Sequence, residues 1–279
     1  MLRNKVSLPE LAGDRIARLP YVLRILLENV ARNEGIGDGT DAILAWLEAC
    51  SSTHEIPVRP SRLLMHDTTC GPALADIAGM CLSLTERGGD ASVLHPKIPI
   101  DVSVDHSIAV DHFGDGSAMH ANMVREQDRN QERFAFMKWA QANLDNVRIH
   151  PPGTGIMHTI NLEQLATVVT EKNGWIFPDM LIGTDSHTPM VNGLGVLGWG
   201  VGGLEAEGVM FGLPVMMRIP DVVGVKLEGR LPDGVLATDL ALRVTHELRL
   251  RDVDNGFVEF FGQGVSSLTV GQRAVVANM

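Results

Sequence analysis

The feature that most constrains the fold is an apolar run that ends abruptly in polar side chains. Residues 181–183 are apolar, and residues 184–188 supply a carboxylate, an imidazole and three hydroxyls. Six glycines follow between residues 193 and 203, before a helix-like segment. Open α/β sheets place their binding sites where a strand delivers polar groups at its carboxyl end, beside a glycine-rich turn and a helix. The stretch therefore predicts an α/β fold with its functional site near residues 184–188.

The charge balance argues against one class of partner. The 279 residues include 23 basic and 34 acidic side chains, a net charge of −11, and the basic residues are scattered. Nucleic-acid binding by counterion release requires clustered basic residues, so we do not expect this chain to bind nucleic acid. The chain has no apolar run of about 18 residues, the length that predicts a membrane span, and its first residues do not resemble a secretory signal. We expect a cytoplasmic location without membrane attachment.

The cysteines predict reduced thiols. Cys50, Cys70 and Cys81 are odd in number and form no Cys-x-x-Cys pair. They therefore favour neither disulfides nor a recognisable zinc or iron–sulfur ligand set. Cys70 lies near His66 in sequence and is a candidate nucleophile, although most isolated cysteines are not nucleophiles.

A second strand is also predicted to end in polar groups. Residues 63–65 are apolar and precede His66 and Asp67. A glycine turn is expected at 70–72, followed by a helical pattern over 73–87. The predicted unit is strand, polar turn and helix.

The longest predicted strand covers residues 96–111, where apolar and polar side chains alternate. His106 falls on the apolar face and Asp105 on the other, so both can serve one site only if the strand bends there. A buried histidine bonded to a backbone carbonyl is the competing interpretation of His106.

Hydrophobic periodicity predicts helices over residues 20–34, 41–49, 119–142 and 238–250, with Thr40 as the N-cap of the second. The charged face of the third is typical of a solvent-exposed helix with intrahelical ion pairs.

Two organisational features follow from proline and glycine. The stiff loop at 151–155 is expected to hold His158 in a fixed place. A domain boundary near 214–220 divides the chain into residues 1–215 and 216–279.

The polar strand ends together predict a proton-transfer site, because an imidazole paired with a carboxylate can give and take a proton near neutral pH. The same side chains suit zinc or iron. Proton transfer is preferred and no metal ligand is assigned, because the local histidine spacing of many metal sites is absent. The side chains are those of His66, Asp67, Asp105, His106, His158, Asp185 and His187.

Two motif matches lack their structural context. Residues 193–198 fit the G-x-G-x-x-G pattern, but polar residues precede them where a strand should lie. Ser186 beside His187 suggests a hydrolase, but no G-x-S-x-G elbow surrounds the serine.

Several ordered motifs closely resemble those of the aconitase family, particularly the branch of cytosolic-type aconitases and 2-methylcitrate dehydratases. They occur in family order from about residue 20 to the last residue, and are far more specific than a single glycine pattern. The motifs are residues 104–107, 129–134, 151–158, 183–188, 200–207 and 257–262.

The resemblance implies a hydro-lyase that dehydrates and rehydrates a hydroxy-tricarboxylate of the citrate, isocitrate or 2-methylcitrate type. In the full-length family a [4Fe-4S] cluster acts as the Lewis acid. The resemblance implies that Asp105 and His106 protonate the leaving hydroxyl and that His158 is a second histidine of the acid side. It implies site or substrate contacts from Asp185, Ser186, His187 and Asn278.

Two departures from the family pattern carry expectations. His66 stands where the family has a substrate-binding glutamine, so one substrate contact is expected to differ. The chain ends at Met279, before the family's catalytic glutamate, cluster cysteines, substrate-clamping arginines and serine base. We expect a three-layer α/β first domain, with parallel strands flanked by helices, and an incomplete second domain. Such a chain carries only the acid half of the site.

Four interpretations stay open at this stage. The chain is a fragment of a longer hydratase, a subunit whose partner chain brings cluster and base, a cluster-free acid–base or metal enzyme, or a non-catalytic module that binds a carboxylate ligand or a protein. No cluster is expected on this chain alone, because its cysteines do not match the family's ligand positions.

Overall fold

The computed structural model describes residues 4–104, 109–253 and 256–279. Asp105 and His106, the predicted proton-donating pair, lie outside the described residues. The α-helices of the described part are α1 (Leu8–Ala12), α2 (Tyr21–Asn33), α3 (Asp38–Ala49), α4 (Asp67–Glu86), α5 (Ala118–Arg129), α6 (Gln131–Asn143), α7 (Met157–Ile160), α8 (Gly203–Met210), α9 (Ala237–Arg249), α10 (Gln263–Ser267) and α11 (Val270–Asn278).

The β-strands of the described part are short. They are β1 (Glu55–Val58), β2 (Arg62–His66), β3 (Ile100–Ser103), β4 (Val147–His150), β5 (Val169–Lys172), β6 (Trp175–Pro178), β7 (Met180–Gly183), β8 (Leu197–Gly200), β9 (Val215–Arg218), β10 (Val222–Lys226) and β11 (Phe257–Phe261).

The main sheet has the strand order β4-β3-β2-β7-β8, and each neighbouring pair in it is parallel. From β2 the chain crosses to β3 and then β4 on one side, and later returns to place β7 on the other side of β2. Because parallel strands need crossover connections, this sheet accounts for the helices that separate its strands in sequence. The predicted α/β fold with parallel strands flanked by helices is confirmed.

Helices cover both faces of this sheet. On one face Leu63 and Met65 of β2 pack with buried residues of α4, α6 and α8. On the other face Leu64 packs with Met157 of α7 and with a 3₁₀ segment, Thr188–Leu194. The alternation along β2 is the expected consequence of successive side chains pointing to opposite faces. A further core joins α1–α3 to β1 and to the first residues of β7 and β8.

The long strand predicted at 96–111 was wrong in extent, since β3 ends at Ser103. The alternation placed Asp101 and Ser103 on the polar face of this strand, and in the structure both are almost completely buried. A parallel strand inside a covered sheet is buried on both faces. Asp101 is tolerated there because Nη2 of Arg148 and Nε2 of His150 lie 2.8 and 2.9 Å from its carboxylate.

The single helix predicted at 119–142 is two helices, α5 and α6, separated at Asn130. It is not uniformly solvated, because Glu126 is 5% exposed. The glycine turn expected at 70–72 is also absent from the structure, since α4 begins directly after His66. Cys70 lies inside that helix, fully buried, and burial raises the pKa of its thiol. It therefore has none of the exposure and thiolate character of a nucleophile.

The last part of the chain forms a smaller parallel unit in which β10 and β11 pair and α9 connects them. It contacts the first part through Glu259, whose Oε1 accepts a hydrogen bond from the backbone N–H of Val22 at 2.7 Å. The division at residue 215 stays a prediction. No helix in the described part of the chain has the length and apolar character needed to cross a membrane.

Candidate active site

The candidate site lies where the carboxyl ends of β2 and β7 meet. These strands are neighbours, but the connections from them leave in opposite directions across the sheet. Such a switch point is where open α/β sheets form a crevice for ligands. β2 ends at His66, and β7 is followed directly by Thr184 and Asp185.

Hydroxyl groups join the two strand ends. The Oγ1 atoms of Thr69 and Thr184 are 2.7 Å apart, and Thr69 also donates to the carbonyl oxygen of His66 at 3.1 Å. Nδ1 of His66 lies 2.5 Å from Oγ1 of Thr68. The first turn of α4 is thus bonded to both strands. Thr184 lies within the predicted stretch 184–188, whereas sequence reasoning missed Thr69, which lies in the first turn of α4, three residues after the end of β2.

Two imidazoles converge on one carboxylate at this edge. Oδ1 of Asp185 lies 2.9 Å from Nε2 of His158 and 2.9 Å from Nδ1 of His187. The backbone N–H of His187 donates to the same oxygen at 2.7 Å. Because an ionised carboxylate only accepts hydrogen bonds, each of these ring nitrogens carries a proton. The structure therefore brings together three of the predicted site residues, from segments 27 positions apart.

The carboxylate of Asp185 is held in its ionised form. Its burial alone raises the pKa, but the backbone N–H of His187, the charge of His158 and the two imidazole hydrogen bonds outweigh burial and lower the pKa to about 2. The two rings differ in access, since the side chain of His158 is 3% exposed and that of His187 is 53% exposed. His187 is the imidazole that a ligand can reach from solvent.

The turn that carries Asp185 is fixed by close packing. Thr188 donates through Oγ1 to the carbonyl oxygen of Asp185 at 2.7 Å, closing the turn. Gly200 at the end of β8 lies against that same carbonyl, and a Cβ at this position would stand 2.8 Å from the oxygen. Glycine at this position is therefore explained by its close contact with the backbone of Asp185.

A buried ion pair fixes the helix that carries His158. Arg62 at the start of β2 donates to Asp179 through Nε and Nη2, and to Oδ1 of Asn161 through Nη1 at 2.7 Å. Asn161 begins a π-helical turn, Asn161–Leu165, which continues α7. π-Helical turns are rare in proteins, and those that occur are often found at functional sites. Sequence reasoning assigned the placement of His158 to the preceding loop and missed this brace.

The remaining predicted residues are placed less directly. Ser186 is exposed in the same turn as Asp185. Asn278 lies at the end of α11, and its Oδ1 is buried with no hydrogen-bond partner among the described residues. α11 packs on the 3₁₀ segment that follows His187, so closely that a Cβ on Gly193 would stand 2.7 Å from the backbone nitrogen of Ala274. Asn278 thus belongs to an element packed against the site segment.

The side chains gathered here are also of the types that bind metal ions. The ligand atoms of His158, Asp185 and His187 all lie within 4.8 Å of one another. The cysteines do not gather in this way. Cys50 is exposed after α3, and Cys70 and Cys81 lie eleven positions apart on α4, one buried in the core and one partly buried.

Comparison with known proteins places the chain in a family. The aconitase family model (aconitate hydratase) matches residues 41–279. The chain is 48% identical to aconitate hydratase A of Pseudomonas aeruginosa, over 98% of this chain and 31% of that protein. It is 50% identical to aconitate hydratase A of Salmonella typhimurium, over 96% of this chain and 31% of that protein. It is 48% identical to aconitate hydratase A of Escherichia coli, over 96% of this chain and 31% of that protein. The chain spans about a third of the length of these relatives, and it belongs to the aconitase family.

Proposed function

We propose that this chain supplies the proton-donating half of a hydro-lyase site that dehydrates and rehydrates a hydroxy-tricarboxylate. The carrying observation is the array in which Asp185 binds the rings of His158 and His187 at the switch point of the sheet. The names of its relatives, aconitate hydratase A, support the reaction class. Because the chain spans 31% of their length, the activity of a whole hydratase is part of the proposal.

The geometry supports distinct roles for the two rings. The ionised Asp185 fixes the proton of each imidazole on the nitrogen that faces it, and so fixes which nitrogen faces outward. His187 is exposed enough for its Nε2 to contact a substrate oxygen. In the proposed acid step His187 is an imidazolium, which donates Nδ1–H to Asp185 and gives up the proton on Nε2 to the leaving oxygen. His158 is buried, and in this proposal it orients the carboxylate of Asp185 and adds an imidazole to the acid side of the site from the protein interior. General acid catalysis by such groups contributes about 10²–10⁴-fold to the rate.

The other predicted residues keep their roles as proposals. Asp105 and His106 follow β3, whose carboxyl end lies beside that of β2, and are proposed to protonate the leaving hydroxyl. His66, Ser186 and Asn278, with Asp185 and His187, are proposed to contact the substrate. The approach of His66 to this edge is supported by the register of β2, in which His66 lies opposite Ser103 of β3.

The three cysteines of this chain do not fit a [4Fe-4S] cluster, which requires thiolates held close together. Cys50 is exposed just after α3, whereas Cys70 lies in α4 and is buried in the core. We propose that in the family's reaction the cluster ligands and the base come from outside these 279 residues, either from a longer chain or from a partner chain. Residues 216–279 are proposed to begin the second domain of that assembly. We also propose a cytoplasmic location for the chain, which the three free cysteines support.

The test is a graft in which this chain replaces the matching third of the Salmonella typhimurium relative. We expect the grafted protein to dehydrate citrate, measured by ultraviolet absorbance of the alkene product. Asp185→Asn should lower kcat by about 10²–10⁴-fold while the fold is kept. Asp145→Asn is the matched control, because Asp145 makes a carboxylate–imidazole pair with His95 at 3.0 Å on the exposed surface. A folded, cluster-loaded graft without activity would contradict the proposal.

A second measurement tests the proposed division of labour. The isolated chain, reconstituted with iron and sulfide, should show neither iron–sulfur absorbance nor turnover of citrate or 2-methylcitrate. Both signals together in the isolated chain would show that its own residues bind the cluster, and would overturn the assignment of ligands and base to another segment.

The compact His158–Asp185–His187 set favours one second candidate, a cluster-free enzyme in which a divalent metal activates water. Two imidazoles and a carboxylate are a common ligand set for such ions. Titration of the isolated chain with Co²⁺, followed by visible absorbance, tests it. Tight binding abolished by His187→Ala, but not by substitution of the histidine of α9 (His246→Ala), would favour this candidate. Absence of binding would remove it.

A further inference from the structure

We infer that Arg133 is a positioning residue for the proposed site: its guanidinium pairs with two buried carboxylates and thereby seats the first turn of α4 against the end of β7. The inference rests on the proposed function, and it concerns a helix that sequence patterns had indicated to be a solvated surface element.

The first step is the burial of two acids with one shared cation. Asp67 and Glu126 are 2% and 5% exposed. Nη2 of Arg133 lies 3.2 Å from Oδ2 of Asp67 and 3.3 Å from Oε1 of Glu126. Charged groups at this depth are retained only when they are paired. Arg133 therefore allows the carboxylates of Asp67 in α4 and Glu126 in α5 to be buried close to each other.

The second step is that neighbouring cations do not replace it. Arg129 lies 3.7 Å from Oε2 of Glu126, but its Nη2 pairs with Asp111 at 2.8 Å. Glu126 also accepts a hydrogen bond from Asn130, which is neutral. For Asp67, the other described contact is the backbone N–H of Thr68 at 3.0 Å. Among the described residues, Arg133 is the side-chain cation whose ion pair with Asp67 is seen.

The third step connects Asp67 to the site. Asp67 is the first residue of α4, directly after His66. Two residues further on, Oγ1 of Thr69 lies 2.7 Å from Oγ1 of Thr184, which precedes Asp185. A displacement of Asp67 therefore moves the backbone of His66 and the hydroxyl bridge to β7 together. The contacts seen for Arg133 are with Asp67, Glu126 and the ring of Phe134, and of these Asp67 leads to the site, through the first turn of α4.

Removal of the guanidinium leaves two carboxylates facing one buried space. Their repulsion is relieved by separation of α4 from α5 or by uptake of a proton, and either response disturbs the turn that holds His66. A misplacement of about 1 Å at a site can cost about 100-fold in rate. Neutralising one acid in the same variant removes the repulsion, since Asp67 keeps the Thr68 amide and the favourable N-terminus of α4.

The experiment compares four proteins in the Salmonella typhimurium graft described above. Arg133→Met should lower kcat by about 10–100-fold, with a changed environment of the His66 ring in ¹H–¹⁵N spectra of the isolated chain. The double variant Arg133→Met with Glu126→Gln should recover most of the lost activity and the His66 signals. Arg129→Met is the matched control, because it removes the same charge from the neighbouring helix without touching Asp67; it should behave as the unmodified graft.

The outcomes separate the two proposals. If the unmodified graft is inactive, the proposed function fails whatever Arg133 does, while the His66 signals still test the positioning role. If the graft is active and Arg133→Met retains full kcat and unchanged His66 signals, the positioning role is wrong. A loss of folded protein with normal kcat per folded molecule would also overturn it, since that is a purely structural effect. If Arg133→Met does not fold, Arg133→Lys should give an intermediate kcat, because it keeps the charge but loses the planar fork.

Discussion

Gly200 lies so close to Asp185 that a Cβ on the glycine would stand 2.8 Å from the aspartate carbonyl oxygen. The strand that closes one edge of the sheet thus packs directly on the backbone of the residue that organises the two imidazoles. This contact leaves no room for a side chain, and it makes the position of Asp185 dependent on β8 as well as β7.

Gly200→Ala should therefore displace the Asp185 turn. Overpacking of this kind costs about 1–3 kcal/mol of unfolding free energy, measurable by denaturant unfolding of the isolated chain. Gly203→Ala is the matched control, because nothing lies within 4 Å of a Cβ at Gly203 and the residue begins α8. Alanine should leave stability unchanged there or raise it by up to about 1 kcal/mol. Equal stability of the two variants would contradict the proposed packing.

The pKa of Asp185 predicts a pH dependence of stability. Its pKa is lowered from 3.8 to about 2 in the folded chain. A carboxyl with a lowered folded pKa stabilises the fold above the unfolded pKa, and this contribution is lost as pH falls through the folded pKa. The unmodified chain should be more stable than Asp185→Asn by about 1–2 kcal/mol at pH 7, after screening by solvent. This difference should shrink between pH 4 and pH 2. A difference that stays constant over that range would show that the carboxylate is not responsible.

The buried acid of β3 predicts strong coupling between two residues of adjacent strands. Arg148→Met leaves Asp101 buried with His150 as its remaining partner in the described part of the chain, and should destabilise the chain by about 3 kcal/mol. Because Arg148 is itself 60% exposed, we expect this lower end of the range for broken buried pairs. The double variant with Asp101→Asn should recover most of the loss, as a double-mutant cycle measures. Arg243→Met, which breaks the exposed pair with Glu247, should change stability by less than about 1 kcal/mol.

The thiols should differ in reactivity in the order of their exposure. Cys50 should react rapidly with a chromogenic disulfide, Cys81 more slowly, and Cys70 only after unfolding, because it is fully buried and its pKa is raised. Cys50→Ser should remove the fast phase and leave the rest unchanged. Rapid reaction of Cys70 in the native chain would place it outside the core.

Sequence patterns predicted what depends on local periodicity. The helices near residues 20–34, 41–49 and 238–250 match α2, α3 and α9 to within a few residues. Thr40 was expected to cap α3, yet it lies inside the first turn and bonds with Gly37. Gly37 is the N-cap instead, so the start of α3 lies a few residues earlier than predicted. Hydrophobic periodicity alone does not determine a helix boundary to that precision.

Patterns failed where tertiary contacts override local polarity. Charge patterning placed Glu126 on a solvent-exposed helix, and alternation gave only the polarity of Asp101. Neither pattern shows that an arginine from another element lies beside each acid. The array at Asp185 was predicted from polar strand ends, whereas the brace of Arg62, Asp179 and Asn161 was not. Its members lie far apart in sequence and follow no motif, so only the folded chain relates them.

The strand order has a consequence for synthesis. β2 leaves the ribosome more than a hundred residues before β7, its neighbour at the switch point. Until residues 180–183 emerge, that side of β2 is an open edge whose amides and carbonyls are available to any passing strand. The crevice of a nascent chain therefore forms only after most of its helices have been synthesised, and the pairing of β7 that completes the candidate site also covers this open edge of β2.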